Sequence, residues 1–214
     1  NVQGDRTVGI WEAPTDAFLD RMEEGLGFKM PRRHGYDVVN AIRAMRDEKV
    51  GVFFCMGGNF LSATPDTKVT AEGLRNVGLT VQVSTKLNRS HLVTGETALI
   101  LPCLGRTELD VQARGKQFVS VENSMGIVHR STGGLPPASP ALLSEPAIVA
   151  RLAEASLNET PLDWLDLVED YDAIRDLMEQ SLHGFEDYNP RVRNENGFAS
   201  VSYTHLTLPT TDRG

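Results

Sequence analysis

The sequence contains little cysteine and no long apolar run. Its two cysteines, Cys55 and Cys103, stand far apart among 214 residues, which excludes a Cys-x-x-Cys metal or redox site. A secreted disulfide framework normally has more cysteines. No stretch approaches the ~18 consecutive apolar residues that span a bilayer, and the first residues do not form a charged and then apolar leader. These absences predict a cytoplasmic protein without a membrane span.

Positive charge is also scarce. The net charge is −8 and the isoelectric point lies near 5.1. Such a chain repels polyanions outside any local basic pocket, so nucleic acids and anionic membranes are not expected partners. A length of 214 residues with 40% hydrophobic content is enough to bury a core. The composition therefore predicts a globular α/β protein.

Familiar catalytic and cofactor motifs are missing as well. No Gly-x-Gly-x-x-Gly follows a predicted strand and no Gly-x-x-x-x-Gly-Lys-Ser/Thr occurs, which excludes ordinary NAD binding and a P-loop. The five histidines lack ligand spacing, and no serine has a recognisable histidine and acid partner. Cys55 lies inside an apolar run, which favours a buried inert thiol, and Cys103 has no basic neighbour. We expect no catalytic residue and no metal ligand within this chain.

Hydrophobic periodicity predicts alternating helices and strands. Apolar spacing indicates helices over residues 15–24, 36–48, 141–157 (regular from about Glu145) and 164–182, and strands over 50–56, 79–83, 98–101 and 117–121. Between the first two strands, Thr64 as N-cap, a following proline and then Asp66 predict a further helix start. A strand, a helix and a strand within roughly 30 residues are typical of a parallel βαβ unit.

We divide the chain into three parts. Residues 1–132 are predicted to form the α/β core, and residues 133–199 a helical continuation of the same domain with its linker. Residues 200–214 resemble a translated sequencing adapter and are expected to be a non-native tail. The alternative for this tail is a Thr-rich extension that adds an edge strand. Both ends of the sequence look cut, so we expect a piece of a longer protein.

Small and polar residues follow the first two predicted strands. Gly57-Gly58-Asn59 and residues 84–90 come directly after apolar runs, and the carboxyl ends of parallel strands are where ligands bind. The glycines allow positive φ and close approach to a phosphate or ring, although an ordinary turn needs the same residues. The second loop supplies cations and donors that suit a diphosphate, and a solvated loop has a similar composition. These cations and donors are Lys86, Asn88, Arg89 and Ser90. Asp66 either accepts hydrogen bonds from a guanine edge or favours the helix dipole.

Five segments of the sequence resemble one known family. They are residues 1–5, 57–66, 84–91, 98–108 and 144–149. In order and spacing they are similar to the formate-dehydrogenase-like branch of the molybdopterin oxidoreductases, and the similarity covers nearly all of residues 1–198. The resemblance implies an internal piece of a large catalytic subunit that carries molybdenum on two molybdopterin guanine dinucleotides. It also implies an incomplete Rossmann-like parallel sheet with flanking helices.

The resemblance implies roles for individual residues. The cofactor-binding residues that it indicates are Gly57, Gly58, Asn59, Asp66, Ser84, Thr85, Lys86 and Asn88. The first three would offer backbone and amide contacts, Asp66 would face the guanine, and the others would line the nucleotide or its diphosphate. The wider superfamily often has an acidic or amide residue where Ser84 and Thr85 stand.

What the family needs for chemistry lies outside this sequence. The resemblance places the molybdenum ligand, and any iron–sulfur cluster, before Asn1, and neither cysteine of this chain matches them. It implies a small substrate such as formate and an electron-transfer subunit as a partner, and an inactive fragment on its own. The alternative is a stand-alone nucleotide-binding α/β module, and a third reading is a structural fragment whose loops bind nothing.

Overall fold

The computed structural model describes residues 2–200. The helices are α1 Val2–Thr7, α2 Asp16–Leu26, α3 Val38–Arg46, α4 Phe60–Ala63, α5 Thr67–Arg75, α6 Glu145–Ser156, α7 Trp164–Glu169, α8 Tyr171–Ser181 and α9 Tyr188–Arg193. The strands are β1 Val52–Met56, β2 Leu79–Ser84, β3 Thr97–Pro102, β4 Val111–Gln112, β5 Gly115–Lys116, β6 Val119–Glu122, β7 Ile127–Ser131 and β8 Phe198–Ala199. The predicted tail, beyond its first residue, lies outside the described residues.

The chain forms two compact units. One comprises residues up to 34, 109–134 and those from 150 onward, and the other comprises residues 35–108 and 135–149. We call the latter the sheet unit, because it contains the parallel strands and both of the predicted ligand loops. No described helix combines the length and the apolar character that crossing a membrane requires.

The sheet unit is built on three parallel strands in the order β1-β2-β3. Phe54 pairs with Val81, and Val81 in turn pairs with Leu99. Parallel neighbours require a long crossover, and here α4 and α5 lie between β1 and β2. The prediction of an α/β protein with a Rossmann-like parallel sheet and flanking helices is therefore confirmed.

Helices α3 and α5 pack together in the sheet unit. Ile42 and Met45 of α3 are buried with Leu74 of α5, and Phe53 of β1 packs against this cluster. The helices approach closely at Gly73, where an added Cβ would lie 3.2 Å from the Ile42 carbonyl oxygen. Since Phe53 is part of the core, the odd-numbered side chains of β1 define the face of the sheet that the helices cover.

The predicted helix over residues 164–182 is two helices rather than one. The chain is extended at Asp170, where φ is −144° and ψ is 114°, and the Asp170 side chain accepts a hydrogen bond from the Asp172 backbone N–H. An aspartate side chain that caps a new helix competes with continuation of the old one. Apolar spacing alone does not show this break, because the pattern continues on both sides of it.

The other unit contains an antiparallel sheet of β6, β7 and β8. Its core includes Val128 of β7, Val192 of α9 and Phe198 of β8. The predicted strand over 117–121 thus corresponds to β6, which pairs with β7 and not with the parallel strands. Ser200, the first residue of the predicted tail, is buried, and its hydroxyl donates to the Glu122 carboxylate at 3.0 Å.

Candidate ligand-binding edge of the parallel sheet

The two loops that the sequence singles out begin at the same edge of the sheet. Met56, the last residue of β1, pairs with Val83 of β2. The Gly57 N–H then donates to the Val83 carbonyl oxygen at 2.8 Å, which extends the ladder by one bond. Because β1 and β2 are parallel neighbours, the loops that follow them leave the sheet side by side.

Hydrogen bonds join the two loops directly. The Asn88 side-chain amide donates to the Gly58 carbonyl oxygen at 2.8 Å. The buried Ser90 hydroxyl donates to Asn59 Oδ1 at 2.9 Å and accepts the Leu61 N–H at the same distance. Each loop therefore fixes the conformation of the other, and residues 57–59 and 88–90 form one connected structure, which we call the loop pair.

The two glycines serve different purposes. Both have a φ of +70°, a conformation that other residues rarely adopt. The Gly57 N–H is already bonded to Val83, so it is not available to a ligand. An added Cβ at Gly58 would meet nothing within 4 Å, and no described residue accepts a bond from the Gly58 N–H. Of these two N–H groups, only that of Gly58 is therefore open among the described residues, and the predicted backbone contacts of Gly57 and Gly58 stay predictions.

Asn59 is held in place by its side-chain oxygen. Oδ1 accepts the Ser62 N–H at 3.3 Å, which caps α4, and also accepts the Ser90 hydroxyl. Within the part of the chain that the structure describes, Asn59 Nδ2 donates to nothing. A half-buried amide whose oxygen is anchored and whose nitrogen is open is a preorganised donor for an anionic or carbonyl group.

Asp66, not Thr64, caps the helix that follows the first loop. Asp66 Oδ1 accepts the backbone N–H groups of Lys68 at 2.9 Å and Val69 at 3.0 Å. The Thr64 hydroxyl is instead bonded to the hydroxyl of Thr70, at 2.7 Å. The predicted N-cap was therefore wrong by two residues, because an aspartate is at least as good a cap as threonine and stands nearer to the helix.

Asp66 remains able to bind a ligand. It is exposed, and among the described residues Oδ2 makes no hydrogen bond. No hydrogen bond joins the Asp66 side chain to either strand-end loop within residues 4–200. The guanine contact predicted for Asp66 stays a prediction. Only Oδ2 is open for it, because Oδ1 already accepts hydrogen bonds from the first turn of α5.

The second loop exposes cations at this edge. The Ser84 hydroxyl donates to the Lys86 carbonyl oxygen at 2.9 Å, which tightens the turn at the strand end. Thr85, Lys86 and Arg89 are exposed, and neither cation forms an ion pair with a described residue. Free cations beside a turn are suited to a diphosphate, as the sequence predicted. The cofactor contacts of Ser84, Thr85, Lys86 and Asn88 stay predictions.

His91 is part of this edge although the sequence did not single it out. It is buried, and its Nδ1 accepts the Asn88 N–H at 3.0 Å, while Asn88 Oδ1 accepts the Ser90 N–H at 2.9 Å. This reciprocal pair is a capping box built from Asn and His. The Asn-x-x-His spacing is the signal that would have found it. Nε2 of His91 is buried without a partner among the described residues.

Neither cysteine belongs to a reactive site. Burial raises the pKa of Cys55, whose Sγ donates to the Gly57 carbonyl oxygen at 3.4 Å. Burial, and then the nearby carboxylates of Glu145 and Glu108, raise the pKa of Cys103. The described residues include no group of three or more His, Cys, Asp or Glu side chains that could hold a metal ion. Both thiols are therefore protonated at neutral pH.

We expect both cysteines to resist alkylation in the folded chain. Near neutral pH, iodoacetamide should modify Cys103, which is 3% exposed, far more slowly than free cysteine, because little thiolate forms and access is blocked. Intact-mass spectrometry with and without urea measures the rates. Rapid labelling of Cys103 without urea would contradict the raised pKa and the burial together.

Comparison with known proteins finds relatives over nearly the whole chain. The chain is 55% identical over 199 residues to the Mycobacterium tuberculosis H37Rv protein named uncharacterized oxidoreductase Rv2900c, and equally to the Mycobacterium bovis protein named uncharacterized oxidoreductase Mb2924c. It is 48% identical over 202 residues to the protein YdeP of Escherichia coli K12. These matches cover 92% and 94% of the chain. No family model matches the chain.

The relatives are much longer than the matched region. The chain spans about a quarter of their length, 26% for the mycobacterial proteins and 27% for YdeP. The similarity is therefore strong but local to one part of each relative.

Proposed function

We propose that this chain is part of an oxidoreductase and that the loop pair, with Asp66 and Lys86, binds the guanine dinucleotide part of a molybdopterin cofactor. The observation that carries the proposal is the direct bonding of the two strand-end loops, through Asn88 to Gly58 and Ser90 to Asn59. Support also comes from the names of the mycobacterial relatives, which describe them as oxidoreductases.

The donor set at this edge fits such a cofactor. A diphosphate requires cations and N–H groups, and Lys86, Arg89, Gly58 N–H and Asn59 Nδ2 are open to supply them. A guanine offers adjacent N–H groups, and the open Oδ2 of Asp66 is the matching acceptor. The space beside Gly58, where an added Cβ meets nothing within 4 Å, leaves room for a ligand to approach the backbone.

In this proposal the chain binds and orients, and the reaction takes place elsewhere. When bound, the cofactor supplies two-electron chemistry at its molybdenum. Lys86 and Arg89 neutralise the diphosphate, while Asp66 selects guanine over adenine, because adenine presents a different pattern of donors and acceptors. The His91 capping box holds Asn88 in the conformation that bonds to Gly58. We further propose formate or a similar small molecule as the substrate of the whole enzyme, and an electron-transfer subunit as its partner. No observation favours the stand-alone nucleotide-binding module.

Replacing Asp66 tests the guanine contact. We expect Asp66→Asn to weaken GDP binding to the chain by about 10–100-fold, since a hydrogen bond to a charged group contributes about 1.5–3 kcal/mol. Asparagine is as good an N-cap as aspartate, so α5 should keep its stability. Binding of ADP should not change. Isothermal titration calorimetry with both nucleotides measures this.

Asp163→Asn is the matched control. Asp163 caps α7 in the other unit and accepts the Asp166 N–H, so this variant makes the same change of charge at the same kind of position. It should leave GDP binding unchanged, and Lys86→Ala should weaken GDP and ADP alike. Equal losses from both asparagine variants would show a general charge effect and contradict the guanine contact.

A longer protein tests the cofactor itself. In what we call the grafted protein, residues 2–200 of this chain replace the matched segment of Rv2900c. We expect the purified grafted protein to contain molybdenum, measured by elemental mass spectrometry, and to release GMP on acid hydrolysis. A folded grafted protein with neither molybdenum nor GMP would contradict the proposed cofactor.

A further inference from the structure

One face of the parallel sheet exposes apolar side chains. Side chains alternate between faces along a strand, so Val52, Phe54, Leu99 and Leu101 share the face opposite Phe53. Their exposures are 60%, 37%, 47% and 36%, respectively. We call this set the open face. Between its two outer rows lie Val81 and Val83 of the central strand, which are buried.

An open face of this kind is unusual for a parallel sheet. Parallel strands occur almost only in sheets that are covered on both faces, because their crossover connections place helices there. Here α3 and α5 pack against Phe53 on the opposite face, where Ile100 of β3 is 44% exposed. Large contiguous exposed apolar patches on a protein mark interaction sites. The pattern thus indicates that another polypeptide segment covers the open face.

The two edges of the sheet differ in their capacity to add a strand. The Gly57 N–H donates to the Val83 carbonyl oxygen, and the Leu79 N–H donates to the Gly51 carbonyl oxygen. The odd-numbered residues of β1 therefore bond to β2, and the even-numbered residues Val52, Phe54 and Met56 direct their backbone N–H and C=O groups away from β2. All three carry an N–H. The outer edge of β1 is therefore a complete template for a further parallel strand.

The outer edge of β3 is less suitable. By the same alternation its outward residues are Ala98, Ile100 and Pro102, and proline has no N–H to donate. Immediately beyond β3, the Leu104 N–H donates to the Leu143 carbonyl oxygen at 2.9 Å. A further strand along the outer edge of β3 would therefore meet Leu143. An added strand is thus favoured at β1.

We propose that a strand and an apolar helix from the remaining polypeptide of the longer family proteins complete this sheet, the strand beside β1 and the helix over the open face. The relatives supply such a polypeptide, because this chain spans about a quarter of their length. Covalent attachment gives it a high effective concentration at the sheet. A second copy of this chain is disfavoured by its net charge of −8, since two such copies repel. The proposal does not depend on which cofactor binds.

Amide hydrogen exchange tests the strand. In the 214-residue chain, the amides of Val52, Phe54 and Met56 should exchange rapidly, while those of Phe53 and Cys55, which lie within the ladder to β2, should be protected. In the grafted protein the three outward amides should slow by at least about 100-fold. Nuclear magnetic resonance resolves these amides in the short chain, and mass spectrometry with electron-transfer fragmentation resolves them in the grafted protein.

A substitution tests the open face separately. Leu99→Glu should leave the melting temperature of the short chain nearly unchanged, because Leu99 is 47% exposed there, and should lower that of the grafted protein by several degrees. Met125→Glu is the matched control: Met125 is 78% exposed, lies in the other unit, and should shift neither melting temperature.

Three results would overturn the proposal. Equally fast exchange of the Val52, Phe54 and Met56 amides in both proteins would show that nothing docks on β1. New protection confined to Ala98 and Ile100 would place the strand at the wrong edge. A dimer of the short chain in light scattering, with its β1 amides protected and with Leu99→Glu restoring the monomer, would make a second copy the occupant.

Discussion

Ser90→Ala is expected to lower the free energy of unfolding of the sheet unit by about 2–4 kcal/mol, because it removes a buried and a partly buried hydrogen bond at once. The Ser90 hydroxyl accepts the Leu61 N–H and donates to Asn59 Oδ1, both at 2.9 Å, and Ser90 is 2% exposed. Alanine leaves the Leu61 N–H buried without an acceptor. Urea denaturation followed by circular dichroism measures the loss.

The same substitution should also weaken ligand binding. Without the Ser90 bond, two hydrogen bonds hold the first loop to β2 and its loop among the described residues: the Asn88 bond to Gly58 and the ladder bond from Gly57 to Val83. We therefore expect weaker GDP binding even under conditions in which all of the variant protein is folded. Ser62→Ala is the control, since Ser62 is exposed and lies on α4 beside the loop. It should change the unfolding free energy by less than about 0.5 kcal/mol. If Ser90→Ala is as stable as Ser62→Ala, the loop pair does not depend on this hydroxyl.

Arg175→Leu is expected to destabilise the other unit by about 2–4 kcal/mol, because it removes a buried guanidinium that donates to several acceptors at once. Arg175 is 3% exposed, and its guanidinium donates to Asp172, to Asn189 Oδ1 at 2.6 Å and to the Phe118 carbonyl oxygen at 3.2 Å. It also lies 4.0 Å from the centre of the Phe118 ring. Leucine fills part of the volume but satisfies none of these acceptors.

Arg193→Leu provides the comparison. Arg193 also donates to Asp172, at 2.5 Å, but its side chain is 41% exposed, so water can replace its bonds. We expect a loss well below that of Arg175→Leu, because exposed ion pairs contribute about 0–1 kcal/mol. Both Trp residues, Trp11 and Trp164, belong to this unit, so tryptophan fluorescence during denaturation reports on it. Equal losses for the two variants would contradict the importance of burial at Arg175.

The pH dependence of stability offers a second test of Arg175. Burial opposes ionisation of Asp172, but the hydrogen bonds from Arg193 and Arg175 outweigh it and lower the pKa of Asp172. A lowered pKa in the folded state means that the stabilisation is present above the ordinary aspartate pKa and is lost as the pH falls through the folded value. The wild-type unit should therefore lose stability in acid, and Arg175→Leu should lose less over the same pH interval. If the free energy of unfolding of Arg175→Leu falls in acid as much as that of the wild type, the ion pair between Arg175 and Asp172 is not the source of the pH dependence.

Local patterns predicted much of the sheet unit. The apolar run before Gly57 and the run before Ser84 became β1 and β2, and the glycines and polar residues that end them became the loops of one edge. This succeeded because a short apolar run with β-branched and aromatic members, bounded by turn residues, favours a strand, and parallel neighbours bring like ends together.

Other features depended on which of several side chains forms a given hydrogen bond, and a local sequence pattern does not reveal this. Thr64 and Asp66 both have side chains that cap helices, and only the folded chain shows that Thr64 is bonded to Thr70 while Asp66 caps α5. In the same way, only the folded chain shows that Asp66 Oδ2 makes no hydrogen bond to a described residue and that the Gly57 N–H is bonded to Val83. His91 was missed because a single histidine carries no spacing signal unless its capping partner is already known.

The sequence by itself determined the α/β class, the order of strands and helices in the sheet unit, and the two segments that end at a common edge, because each follows from the hydrophobicity and backbone preferences of neighbouring residues. Only the tertiary structure decided that Ser90 bonds to Asn59 and that β6 pairs with β7 rather than joining the parallel strands. It also decided which sheet face stays open, with Phe54 exposed beside the buried Val81. These outcomes depend on residues far apart in the chain, and the burial and hydrogen bonding that select among them exist only once the chain has folded.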